Sequence, residues 1–132
     1  MSTDESLRLK LDATPESVGV ARAAVSKLAQ SLGMGEPGLG DVRTVVSEAC
    51  TNVVRHAYPD GPGHFELEAS RAGNSLSIVI RDFGVGMRPR VRTVGSTLRL
   101  GLGLIATLTS RFEIAGGSDG TEIRAELPLP GH

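Results

Sequence analysis

Glu48, Asn52 and His56 stand four residues apart in the segment VVSEACTNVVRHAY, so on a helix each lies about one turn beyond the last. The apolar residues around them, Val42, Val45, Val46, Ala49, Cys50, Val53, Val54 and Ala57, have the i, i+3, i+4, i+7 spacing of a core-facing stripe. At about 100° per residue the polar row follows one edge of that stripe, while the wet side falls to Arg43, Thr44, Ser47, Thr51 and Arg55. Such an edge is either the lip of a cleft or a partly exposed, salt-bridged boundary. The helix alone does not choose between them.

Three glycine-rich features follow. In RDFGVGM, Asp82 ends an apolar strand, and Gly84 and Gly86 let the backbone turn sharply and approach a ligand. A carboxylate accepts hydrogen bonds only, so Asp82 suits a ligand's exocyclic amino group, or else it caps a turn. The segment GLGLIA, Gly101 to Ala106, fits the Gly-x-Gly-x-x-Ala dinucleotide fingerprint but lacks the preceding strand and the following chain of a doubly wound sheet. Its physics still holds, because a glycine-rich loop opening a helix offers free N–H groups and a positive dipole end to phosphate. In GSDGTEI, Thr121 begins the last strand after a turn. There is no P-loop, and the Asp82-Phe83-Gly84 triplet lacks the His-Arg-Asp catalytic loop and the chain length of the protein kinases that share it.

The elements that must hold these residues can be read from periodicity. Leu7, Leu9 and Leu11 alternate with charged residues as a strand; ATPESVGVARAAVSKLAQSLG is a helix with Thr14 as N-cap, Pro15 at its first position and Gly33 as its stop. GMGEPGLG reads as a turn, and the second helix runs from about Asp41 to Tyr58 before PDGPG ends it. Phe65, Leu67 and Ala69, then Leu76, Ile78 and Ile80, form a hairpin about RAGN; GLGLIATLTSRF is a helix; FEIAG and TEIRAELPL form a last hairpin about GSDG. This order predicts an α+β fold, a two-layer α/β sandwich whose mixed, mostly antiparallel five-stranded sheet carries three helices on one face.

A chain of 132 residues suits a single domain over residues 1–132, and 39% hydrophobic with 22% charged residues is a globular composition. No apolar run is long enough to span a bilayer, and the polar start MSTDESLRLK has no signal region, so a cytoplasmic protein off the membrane is expected. The lone Cys50 lies on the apolar stripe and reads as a small buried hydrophobe. A net charge of −1 argues against direct nucleic-acid binding. From Phe83 to Phe112 there is no acidic residue, yet Arg88, Arg90, Arg92, Arg99 and Arg111 fall there, either an anion-facing segment or a solvated loop.

Taken in order, Glu48-x3-Asn52-x3-His56, Asp82-x-Gly84-x-Gly86, Gly101-x-Gly103 and Gly120-Thr121 resemble the motifs of the ATPase superfamily shared by DNA gyrase, heat-shock chaperones, histidine kinases and mismatch-repair proteins, the Bergerat ATP-binding fold. Within it, the short domain and SEACTNVVRHAY look like the bacterial anti-sigma-factor serine/threonine kinases. The resemblance implies ATP and Mg²⁺ as ligands. Asn52 would hold the metal through its side-chain oxygen, Glu48 would be the general base, Asp82 would read the adenine amino group, and Thr121 would support Asp82. Gly84 and Gly86 would make room for the base; Gly101, Gly103 and Arg99 would meet the phosphates; His56 would line the pocket without a catalytic role.

The implied function is an anti-sigma factor that sequesters a sigma factor and phosphorylates an anti-sigma-factor antagonist protein, with homodimerisation common in the family. Two alternatives stand beside it: a non-catalytic ATP-gated protein-binding module, and a detached histidine-kinase catalytic domain.

Overall fold

A computed structural model describes residues 5–84, 97–117 and 119–130, with the backbone alone for 97–101. The chain runs β1 (Ser6–Asp12), α1 (Pro15–Ser31), α2 (Gly38–His56), β2 (His64–Ala72), β3 (Ser75–Asp82), α3 (Thr97–Leu108), β4 (Arg111–Gly117) and β5 (Gly120–Pro128). The strands form one sheet in the order β1-β2-β3-β5-β4.

Every pairing in that sheet is antiparallel, so the expected mixed character does not occur. The reason lies in the α3 crossover. It brings β4 back in the same direction as β3, but β5 inserts between the two and pairs antiparallel with each. The hairpins fall where the turn residues put them: Ala72 faces Ser75 across Gly73-Asn74, and Gly117 faces Gly120 at the second turn.

Alternation sorts the two sheet faces. Phe65, Leu67, Ala69, Leu76, Ile78, Ile80, Ile123, Ala125 and Leu127 are buried in one cluster with Val25, Val46, Val53 and Ile105 of the helices. The opposite face is charged. There Arg8, Glu68, Arg81, Glu122 and Arg124 form a chain of ion pairs across β1, β2, β3 and β5, with separations of 2.7 to 3.3 Å. Solvent-accessible pairs of this kind, even half-buried ones, contribute little beside the apolar area buried on the helical face.

α2 is the middle helix, lying against α1 on one side and α3 on the other. Its stripe Val42, Val45, Val46, Ala49, Cys50 and Val53 is buried, as the spacing predicts, and Val54 is half-buried. The face expected to be wet is narrower than periodicity implies: Arg43, Thr44, Ser47 and Thr51 are half-covered, and Ser47 accepts a hydrogen bond from Arg22 of α1 at 3.0 Å. The helix also begins at Gly38, three residues before the predicted start. The Glu36 carboxylate accepts the Gly40 N–H at 3.1 Å and thus satisfies an N-terminal donor that glycine-rich sequence leaves unsupported. No described helix is long and apolar enough to cross a membrane.

α1 begins after Thr14, in extended conformation, with Pro15 in the first turn, although the Thr14 hydroxyl meets Ser17 Oγ rather than a backbone donor. Its end is a Schellman cap: Gly33, at φ 97°, donates to the Gln30 carbonyl, and Met34 donates to Ala29 while burying its own side chain. Because a Cβ at Gly33 meets no atom within 4 Å, Gly33→Ala isolates backbone strain. It is expected to lower stability by about 1–2 kcal/mol, whereas Gly35→Ala, also in open space and without positive φ, stays within about 0.5 kcal/mol. Urea denaturation of both variants checks this.

Candidate functional site

Helix α2 sets the axis of the site. Glu48 and Asn52 are half-buried on it, at the edge of the valine stripe, and His56, its last residue, is exposed. At about 1.5 Å per residue, Asn52 stands about 7.5 Å and Glu48 about 13.5 Å back along the axis from Ala57. A carboxylate and an amide oxygen are thus spaced at successive depths above one helix end.

At that end lies the close of β3. Asp82 pairs in register with Thr121 of β5, and both are buried, at 7% and 8% exposure. The Asp82 Oδ1 accepts the Gly84 N–H at 3.1 Å, and the Thr121 N–H also stabilises the charged form. Burial outweighs these donors and pushes the Asp82 carboxyl above the usual aspartate range. A carboxylate has about four acceptor positions, so capacity remains for a ligand donor. A cleft of about 500 Å³ between the end of β3 and the β4–β5 turn is lined by both Asp82 and Thr121.

Gly84 returns the chain toward α2. A Cβ there would drive into the Ala57 carbonyl, so only glycine lets the backbone pass this closely. A second cleft, of about 380 Å³, opens on the far side of Phe83 between Gly84 and the loop Ala57–Pro62. Phe83 is half-exposed between the two clefts, its ring 5.2 Å from that of His64.

The structure thus brings Asp82, Gly84 and Thr121 together at the C-terminal end of the helix that carries Glu48 and Asn52. His56 lies at the same helix end but faces solvent. Helix α3 starts at Thr97, four residues before Gly101, so Gly101 and Gly103 lie inside the helix and are not the loop that opens it. Helix α3 accommodates both glycines, with Leu102 and Ile105 buried in the core. The unsatisfied helix N–H groups therefore belong to residues before Gly101. Arg99 is on the first turns of α3; Gly86, Arg88, Arg90 and Arg92 lie outside the described residues.

Arg111 opens β4 and pairs with Glu113 at 3.4 Å. Cys50 is fully buried, and desolvation pushes its thiol up to about 12, which suits a core hydrophobe and not a nucleophile.

Tyr58 escaped the sequence reading. It is the only tyrosine, placed two residues after α2 and before a turn, and its hydroxyl meets His64 of β2 and Phe83 just past β3. An aromatic residue with a polar tip in a chain only 3% aromatic was the available signal.

Among the described residues no group of three His, Cys, Asp or Glu could hold a metal. Asn52 offers one neutral, hard oxygen, which fits Mg²⁺ when phosphate and water complete its shell. The buried acceptor at Asp82 likewise fits the polar edge of a flat base, whereas the missing Cβ of Gly84 makes room for the Ala57 carbonyl and not for a ligand.

An antiparallel sheet under three described helices, with an acidic strand end beside a polar helix edge, has the architecture of an ATPase-type domain. The sequence model of the histidine kinase-like ATPase domain matches residues 11–127, and the chain belongs to that family. Its curated relatives include the serine-protein kinase RsbW of Bacillus thuringiensis (strain Al Hakam), 32% identical over 85 residues, which cover 64% of this chain and 53% of that protein. RsbW of Bacillus mycoides (strain KBAB4) is 31% identical over the same length. The match therefore spans about half the length of these relatives. Among solved structures, the RsbU and RsbW domains of Rv1364c from Mycobacterium tuberculosis share the fold with a TM-score of 0.75 at 24% identity, covering 94% of this chain and 32% of that one. The histidine kinase domain of a blue-light activated kinase from Erythrobacter litoralis EL346 follows at 0.61 and 22% identity, covering 83% and 61%.

The raised pKa of Asp82 has a definite linkage sign. Between the unfolded value of about 3.9 and the raised folded value, the native state binds more protons than the unfolded state, so acidification favours folding through this group. The melting temperature of the wild type minus that of Asp82→Asn is therefore expected to rise as pH falls from neutral through that window. Paired thermal melts at several pH values measure it; a difference that falls on acidification would contradict the burial argument.

Proposed function

We propose that this chain is a single ATP-binding domain, residues 1–132, acting as a cytoplasmic, Mg²⁺-dependent serine/threonine protein kinase of the anti-sigma-factor type. The observation that carries the reading is the buried Asp82 carboxylate, presented with Thr121 at the end of α2 from which Asn52 and Glu48 recede along the helix. Adenine at Asp82 directs the phosphates of ATP back along α2, past Asn52 and toward Glu48. The likeness to serine-protein kinases named RsbW supports hydroxyl-bearing protein as the acceptor.

In this reading Asp82 accepts the adenine amino group, with Gly84 and Gly86 beside the base. Asn52 holds Mg²⁺, which supplies charge compensation on the phosphates when bound. The first turn of α3, which carries Arg99 and leads into Gly101 and Gly103, offers its free N–H groups to the phosphates, and His56 lines the outer rim of the pocket. Glu48 takes the proton from the acceptor's hydroxyl as its oxygen bonds to the γ-phosphorus and the bond to the β-phosphate oxygen breaks, releasing ADP. The acceptor is an anti-sigma-factor antagonist, and the partner held in the absence of transfer is a sigma factor. A homodimer is the proposed assembly.

Glu48→Gln tests the role of the base. ATP affinity by calorimetry is expected to stay within about twofold, while transfer of labelled phosphate to an antagonist protein falls by about 10²–10⁴-fold. Undiminished transfer would remove Glu48 as base. Wild-type protein that binds ATP but transfers nothing would favour the ATP-gated binding module, and an acid-labile label would point to histidine-kinase chemistry.

A further inference from the structure

Beyond the residues already given a role, the loop after α2 carries one side chain whose polar tip joins three elements. Tyr58 is half-buried, and its hydroxyl donates to the His64 carbonyl at the start of β2. The same oxygen accepts the Phe83 N–H at 2.9 Å, just past the end of β3. Both hydrogen-bonding capacities that matter to a hydroxyl are thereby used.

The two residues that flank Phe83 are Asp82 and Gly84, and Gly84 donates its N–H to Asp82 Oδ1. On its other side Gly84 presses on the carbonyl of Ala57, the neighbour of Tyr58. The Phe83–Gly84 turn is therefore held from one side by a carbonyl and from the other by a phenol, both from the same dipeptide. The seat of the ring is shaped for it: Gly63 lies so close that a Cβ there would overlap the Tyr58 ring atoms. Phenylalanine at position 58 would fill the space but leave the Phe83 N–H without its acceptor.

We propose that Tyr58 is a positioning residue for base recognition: its hydroxyl anchors the Phe83 N–H and so holds the Asp82 carboxylate where a donor on a purine 6-position can meet it. Tyr58 touches no reacting atom and acts through Asp82. This rests on the ATP-site reading above, and the test separates the two.

The test compares affinity for ATP with affinity for purine riboside triphosphate, which lacks the exocyclic amino group, in the intact chain. Wild type is expected to prefer ATP by on the order of tenfold or more, the range of a hydrogen bond to a charged acceptor. Tyr58→Phe reduces that preference by roughly 3–10-fold, while leaving phosphotransfer at saturating ATP close to wild type. In an Asp82→Asn background the same substitution changes the preference by less than about twofold, because the route through Asp82 is already gone.

Gly63→Ala, which displaces the ring by a different route, gives the same loss of preference and serves if Tyr58→Phe folds poorly. A Tyr58→Phe protein with a lowered melting temperature but an unchanged preference would assign the hydroxyl to stability alone and overturn the proposal. Wild type without any preference for ATP would overturn the adenine site itself, and the role of Tyr58 with it.

Discussion

A carboxylate removed from water loses hydration worth several kcal/mol unless donors replace it, and Asp82 stands under that constraint at the end of β3. Among the described residues its donors come from backbone, the Gly84 N–H and the Thr121 N–H. Backbone donors cannot adjust as an arginine can, so their elements must be placed correctly. β5 must lie beside β3 with Thr121 opposite Asp82, the chain must double back at Gly84, and α2 must end where Ala57 meets that turn. The partial replacement of water leaves an acceptor that is both costly and available, the state expected of a group kept for a ligand.

The same constraint explains the division of the domain. One sheet face is packed under three described helices and holds the site at its margin; the other is an alternating ladder of arginine and glutamate. Period-two alternation in β2, β3 and β5 produces both faces from the same residues. α2, the middle helix, gives its apolar stripe to the core, and its polar edge leads to the candidate site at its C-terminal end.

Much of this was legible in the sequence because it is local. Both hairpins, the strand that carries Asp82 and the stripe of α2 follow from periodicity and turn residues. Helix starts were less legible, and in one direction: Gly38 and Gly40 read as turn and Gly101 as loop, yet α2 and α3 each begin earlier. For α2 the Glu36 carboxylate, outside the periodic pattern, supports the earlier start. Glycine counts as a breaker only until packing outweighs its cost of about 1 kcal/mol. The insertion of β5 between β3 and β4, and the contact of Tyr58 with Phe83, have no local signal, since each joins residues far apart in the chain.

The strand order also has a consequence in time. Of the described strands β5 is the last to be made, yet it occupies an interior position in the sheet. A nascent chain that has emerged only as far as α3 holds Glu48, Asn52, Asp82 and Tyr58, but the edge of β3 is still unpaired and Asp82 still lacks Thr121. Long-range strand pairing is slow and leaves such edges open to association with other chains. The pairing of Asp82 with Thr121 therefore arrives in one late step, when the β4–β5 hairpin docks, and a chain shortened before Thr121 would carry most of the motif residues without ever assembling the candidate site.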